Sequence, residues 1–386
     1  MRRIAYALCA LLLMGAVYPS DMSAKKKKKR EPNWGEVLVP EEGGTSFERI
    51  TDDNDCVSSL NTGKRKKRFW DGKEKDLTEI DWWINPLIAV SPSGDKVAYI
   101  NSKNGTYNIM VKNAKQGGAS VQRTFRTAVS DFTWSPDGKE LCFTELRSGH
   151  FGIYLVDSEA GNVVHQISTG TDNDFGGSMS RNCKHIFFHR GEGKNAYSIW
   201  SYDRDKNLFS NYSRGMSPVQ DPNDPDVIYC ARFTDRKESE IWRINFRTGT
   251  EEIILSQAKR CFTTPQVSPD GAWILVTGSS LSEKDQYINT DLFVVRTDGS
   301  QFTQLTYHPG NDLSGVWAPD GRSIYFISER GSEKRVNNVW KMDFQLGGGG
   351  YVPSTNYQRE DSRRKTINDN FIPLDKLNNN NKKKRR

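Results

Sequence analysis

Thr133-Trp-Ser-Pro-Asp-Gly-Lys-Glu-Leu-Cys-Phe143 is a tight turn set between two apolar runs. Proline presets φ at the first turn position, the aspartate side chain caps the turn, and glycine accepts φ > 0. The run after the turn is β-rich. The same pattern recurs at residues 89–99, 179–188, 220–229, 266–276 and 317–326. Equivalent turn positions are Pro92, Pro136, Arg181, Pro222, Pro269 and Pro319, at steps of 44, 45, 41, 47 and 50 residues. The turns at Arg181 and Pro222 are degenerate, reading Ser180-Arg-Asn-Cys183 and Asp221-Pro-Asn-Asp224.

A second motif follows each turn: Ile109-Met, Ile153-Tyr, Ile199-Trp, Ile241-Trp, Leu292-Phe and Val339-Trp, each continuing in alternation. An aliphatic, then usually an aromatic, then alternation is the pattern of a half-buried strand. Glycine turns such as Thr248-Gly249 and Asp298-Gly299 then lead to a fourth strand of the type Gln301-Phe-Thr-Gln-Leu-Thr306. Four short strands in about 45 residues make a propeller blade, and six units predict an all-β six-bladed β-propeller. Such strands bury no core alone, so stacking blades around a ring must supply it. The last unit has no fourth strand of its own. Ser46-Phe-Glu-Arg-Ile-Thr51 resembles residues 301–306, so it is expected to complete the sixth blade as an N-terminal clasp. The clasp removes an open sheet edge.

The turns at residues 134–139 and 317–322, with the Ile-Tyr/Trp-x-x-Asp strand, resemble the WD40-like (PD40) repeat of the TolB propeller family. Similar blades occur in the N-terminal propellers of dipeptidyl peptidase IV-like peptidases. The resemblance covers about residues 46–344 and implies a fold more than a function. It suggests a role in envelope integrity or in a larger envelope or secretion assembly. The chain departs from TolB in having only about 20 residues between the expected cleavage site and the clasp, where TolB carries an α/β domain. It departs from the peptidases in having about 42 residues after the last blade strand and no Gly-x-Ser-x-Gly elbow.

The 386 residues include 10 Trp, 14 Tyr and 18 Phe, far too many aromatics for a disordered chain. No run of 18 apolar residues occurs, which excludes a polytopic membrane protein. Net charge is +7, but four runs (25–30, 64–68, 363–365 and 382–386) carry +19, leaving a body near −12. A mildly acidic body with basic appendages is not the profile of a nucleic-acid binder. Residues 1–24 read as a signal peptide: Arg2 and Arg3, then an apolar run from Ile4 to Val17. The expected location is the periplasm or cell envelope. Residues 25–45 read as a basic linker, 56–80 as a surface insert, and 345–386 as a largely disordered extension with a basic end.

Chemistry is sparsely signalled. No motif supports a nucleophilic triad, and Cys183, two residues before His185, sits in a turn. His185 and His189 are spaced i, i+4 on a strand, about 13 Å apart, too far for one ion. Cys142 and Cys230 read as buried free thiols. No cofactor and no metal are expected, and the ring is read as a non-enzymatic protein-binding module. The alternative is a polysaccharide lyase or glycan-active hydrolase working in the central channel, as in the oligogalacturonate type of propeller lyase. Loops between blades carry Asp55, Asp131, Asp172, Asp174 and Asp312, candidates for an acidic channel mouth that receives a basic peptide, a cation or a sugar. Individually they could equally cap turns and strand ends. Lys64, Arg65, Lys66, Lys67, Arg68 and Trp70 are candidates for contact with anionic lipid or polysaccharide, and otherwise a solvated loop. The expected partner is a protein or peptide of the cell envelope.

Overall fold

In the computed structural model, residues 46–344 are described except 59–65, 69–73, 77–85 and the short stretches 104–105, 116, 126, 162–163, 169–171, 194–195, 235–237, 282–286, 309 and 333–335. The signal segment, the basic linker and the C-terminal extension lie outside the described residues. The described residues form strands, turns and loops only.

The chain begins with β1 (Phe47–Arg49). Within the 56–80 segment a separate two-stranded sheet forms from β2 (Lys66–Arg68) and β3 (Glu74–Asp76). Blade 1 holds β4 (Ile88–Val90), β5 (Lys96–Lys103), β6 (Thr106–Asn113) and β7 (Val121–Gln122). Blade 2 holds β8 (Val129–Trp134), β9 (Glu140–Arg147), β10 (His150–Asp157) and β11 (Val164–Gln166). Blade 3 holds β12 (Asp174–Met179), β13 (His185–Gly193), β14 (Ala196–Asp203) and β15 (Leu208–Arg214). Blade 4 holds β16 (Met216–Gln220), β17 (Val227–Phe233), β18 (Ser239–Asn245) and β19 (Thr250–Leu255). Blade 5 holds β20 (Arg260–Val267), β21 (Trp273–Leu281), β22 (Tyr287–Arg296) and β23 (Thr303–Gln304). Blade 6 takes β24 (Asp312–Trp317), β25 (Ser323–Ser328) and β26 (Asn338–Asp343) from the end of the ring, and β1 from its start. Its clasp register is antiparallel, with Phe47 opposite Met342, Glu48 opposite Lys341 and Arg49 opposite Trp340.

The repeated turn works as its chemistry requires. Ser135 Oγ donates to Asp137 Oδ1 at 2.7 Å and accepts from the Glu140 N–H at 2.9 Å, while Gly138 holds φ 77°. Serines 91, 180 and 268 accept the equivalent backbone N–H in blades 1, 3 and 5. In blade 3, Asn182 replaces the aspartate and Cys183 takes the left-handed position at φ 57°.

Each first strand packs against the first strand of the next blade around the whole circle, including β24 against β4. Five apolar clusters fill the spaces between blades: Cys142, Ile153 and Ile186 between 2 and 3; Phe187 and Ile228 between 3 and 4; Phe262, Phe293 and Tyr229 between 4 and 5; Leu275, Trp317 and Trp340 between 5 and 6; and Tyr99, Phe132 and Tyr325 joining 6, 1 and 2. The core is therefore interblade, as the stacking argument demands.

Candidate functional site

Ring closure brings the segment after β1 across the face of blade 1. The segment turns on itself because Asp52 Oδ1 accepts the N–H groups of Asn54 (2.8 Å) and Asp55 (3.0 Å), an Asx-type turn. On one side it is stitched to blade 6. The Ile50 N–H donates to Val339 O at 2.9 Å, and Thr51 Oγ1 donates to Asn338 Oδ1 at 3.0 Å while accepting from the Val339 N–H at 2.9 Å. Arg49 is held by Asp53, Thr51 O and Gly331 O. On the other side it is stitched to blade 1. Lys112 Nζ, buried at 6 % exposure, donates to Ile50 O at 3.0 Å and lies 4.0 Å from Asp55 Oδ2. Tyr99 Oη donates to Asp55 Oδ2 at 2.5 Å, and Ser120 Oγ to Asp55 Oδ1 at 3.3 Å. Burial first, then the Asp55 carboxylate, pushes the Tyr99 hydroxyl far above its ordinary range, so it stays a donor.

A cleft of about 680 Å³ opens between the two sides. Arg49–Asp55 forms one wall, with Lys112 and the loop 117–120 opposite. Gly117 and Gly118 are exposed at φ 84° and 80°, and a side chain at either would meet nothing within 4 Å. The cleft mixes polar and apolar surface, with donors and acceptors of both charge signs. Those polar groups can hydrogen-bond an extended chain.

Of the five aspartates singled out in the sequence, Asp55 alone lines this cleft. Asp131 is fully buried in the ring, accepting from Ser130 Oγ (2.7 Å), Thr144 Oγ1 (2.7 Å) and the Gly176 N–H of the next blade (3.0 Å). Burial raises its carboxyl to about 6 against those hydrogen bonds. Asp174 is buried and bonded to Arg190 Nε at 2.7 Å, and burial pushes its carboxyl up against that pull. Asp172 is exposed and lies 3.0 Å from Arg190. Asp312 and Arg330 form a wholly buried pair at 2.6 Å. Three of the five are thus interior groups with internal partners, not free rim charges. Lys66, Lys67 and Arg68 form β2, opposite Asp76, Lys75 and Glu74 of β3. Lys64, Arg65 and Trp70 lie outside the described residues.

The histidines are scattered. His150 and His165 are exposed, and His185 is half-buried. His189 is buried and accepts the Ser217 N–H at Nδ1, and His308 Nδ1 accepts the Gly310 N–H. Burial holds His189 down near a pKa of about 3. Among the described residues no group of three or more His, Cys, Asp or Glu is placed to hold a metal. Cys56, Cys142, Cys183, Cys230 and Cys261 are all free thiols.

The family model of the TolB beta propeller domain matches residues 83–238 and 206–360. YuxL of Bacillus subtilis, a peptidase described as uncharacterized, is 25 % identical over 227 residues, covering 54 % of this chain and 31 % of the relative. The Tol-Pal system protein TolB of Wolinella succinogenes is 30 % identical over 105 residues, 27 % of this chain and 23 % of the relative. A solved structure from Agrobacterium tumefaciens assigned as TolB superposes with a TM-score of 0.53 at 17 % identity, covering 68 % of this chain and 90 % of that one. At that identity the likeness shows the fold alone. The chain spans less than a third of the length of these two curated relatives. The expectation of a non-enzymatic protein does not stand, because blades 25 % identical to these occur in a named peptidase.

Proposed function

Because the chain belongs to the TolB beta propeller domain family, we propose that its ring recognises an extended segment of a protein or peptide in the cell envelope, through the cleft beside the clasp. The observation that carries this reading is the 680 Å³ cleft beside the ring's closure, walled by the clasp segment on one side and blade 1 on the other. A rigid ring lowers the ordering cost of binding, because the walls are set before the ligand arrives. Export through residues 1–24 belongs to the same proposal. So does contact of the basic segment 64–70 with anionic lipid or polysaccharide, which would weaken steeply with salt. The test is a photo-crosslinking residue at Asn54 or Ala119, compared with one at Asn207 on blade 3, in fractionated cells. Cross-links to one envelope protein from the cleft positions alone support the reading. Equal labelling from all three, or a cytoplasmic location, contradicts it.

The peptidase relative favours a second reading, that the ring handles peptide for hydrolysis. Turnover of unstructured peptides by the purified chain, lost on blocking the cleft, would establish it. Peptides that bind and are released intact would exclude it.

A further inference from the structure

The cleft and the closure of the ring are the same structure. One wall belongs to the clasp segment, whose bonds reach residues 337–339 of blade 6. The other belongs to blade 1, reached through Lys112, Tyr99 and Ser120. Two further bonds continue the seam: the Val57 N–H donates to Asn337 O at 2.7 Å and the Ser58 N–H to Ile100 O at 2.8 Å. If the segment lifts, the seam amides lose their acceptors and one wall of the cleft is lost. A ligand of the cleft therefore binds the closed ring and not the open one, and must stabilise closure by mass action.

Charge bookkeeping in the cleft narrows the ligand. Arg49 is paired with Asp53, and Lys112 faces Asp55 at 4.0 Å. Asp52 is exposed, with Oδ1 engaged in its own turn. Among the described residues no cation pairs with it. The cleft thus presents one uncompensated negative charge beside the 117–119 backbone, whose peptide groups make no hydrogen bond among the described residues. That loop leads directly into β7, the outermost strand of blade 1 and an edge of its sheet. An extended peptide can hydrogen-bond to these exposed peptide groups, and a positive side chain can reach Asp52.

Resting on the reading of the cleft as a peptide site, we infer that its ligand is an extended peptide bearing one positive group opposite Asp52, and that binding it clamps the ring shut. Three acetylated, amidated pentapeptides, Thr-Val-Xaa-Val-Thr with Xaa as Lys, Gln or Glu, test this on the full chain. The Lys peptide should bind at least tenfold more tightly than the Glu peptide. At ten times its Kd it should slow hydrogen exchange about tenfold at the Ile50, Val57, Ser58 and Val339 amides. The Phe246 amide of blade 4, which donates to Asp226 O, should be unchanged. Asp52→Asn keeps the turn's acceptor and should abolish the preference for Lys over Gln. Lys and Glu peptides binding alike, a preference that survives Asp52→Asn, seam amides that do not slow, or no binding by any of the three would each overturn the inference. The reading of the cleft itself falls only on the cross-linking result.

Discussion

Asp131 shows how a single residue couples the ring to pH. Its carboxyl ordinarily titrates near 3.8 but is raised to about 6 by burial, so the folded chain holds this proton more tightly than the unfolded one. Stability from this group is full below about 3.8 and is lost as pH rises through about 6, where the buried charge costs roughly 3 kcal/mol. His189 works in the opposite sense: burial lowers it from 6.5 to about 3, so stability is lost as pH falls across that interval. Asp131→Asn keeps acceptors for Thr144 and the Gly176 N–H and removes the charge. Urea unfolding at pH 5 and pH 8 should show the variant gaining most at pH 8. An equal change at both pH values would refute the assignment. Cys183 gives a second residue-scale test. It occupies at φ 57° the place that Gly138 and Gly271 fill at 77° and 75° in equivalent turns. Cys183→Gly should stabilise by up to about 1 kcal/mol, read as a shifted unfolding midpoint. A loss would show that the half-buried thiol's packing outweighs the backbone strain.

At the scale of the element, blade 6 depends on one buried cation. Arg330 bonds Asp312 at the start of β24, contacts Ser328 at the end of β25, and lies 4.2 Å over the ring of Phe47 from the clasp. Arg330→Met leaves the Asp312 carboxylate buried without its cation and should cost about 3–5 kcal/mol. Adding Asp312→Asn should recover much of it in chemical denaturation, and a double variant no better than the single would reject the pairing argument. Much at this scale was legible in the sequence. Ser-Pro-Asp-Gly turns mark local φ demands, so they survive as signals wherever the chain obeys the repeat. They were readable even in degenerate form, because Ser180 and Asn182 supply the same oxygens as Ser135 and Asp137. The bulges in β16, β20 and β24, with Ser217, Thr264 and Ser314 at positive φ, were not legible. No glycine marks those positions. The roles of Asp174 and Asp312 were also hidden, since their arginines lie 16 and 18 residues away.

For the whole molecule, the decisive relation is between Phe47–Arg49 and β26, almost 300 residues later. The likeness of residues 46–51 to the fourth strand of blade 5 made the clasp readable, because a ring of sheets leaves an obvious vacancy for it. The cleft was not readable. It exists because residues 50–55 meet Lys112 and Ser120 after closure, and no local pattern encodes that meeting. Closure by so distant a strand carries a high loop-closure cost that the clasp contacts must offset. Cysteines at Glu48→Cys and Lys341→Cys, which face each other across the clasp, measure it most directly. Disulfide formation should be rapid in the double variant and absent from either single one, with the oxidised ring unfolding several degrees higher than the reduced one. No cross-link, or a cross-link that leaves the unfolding midpoint where it was, would contradict a ring shut by its N-terminal strand.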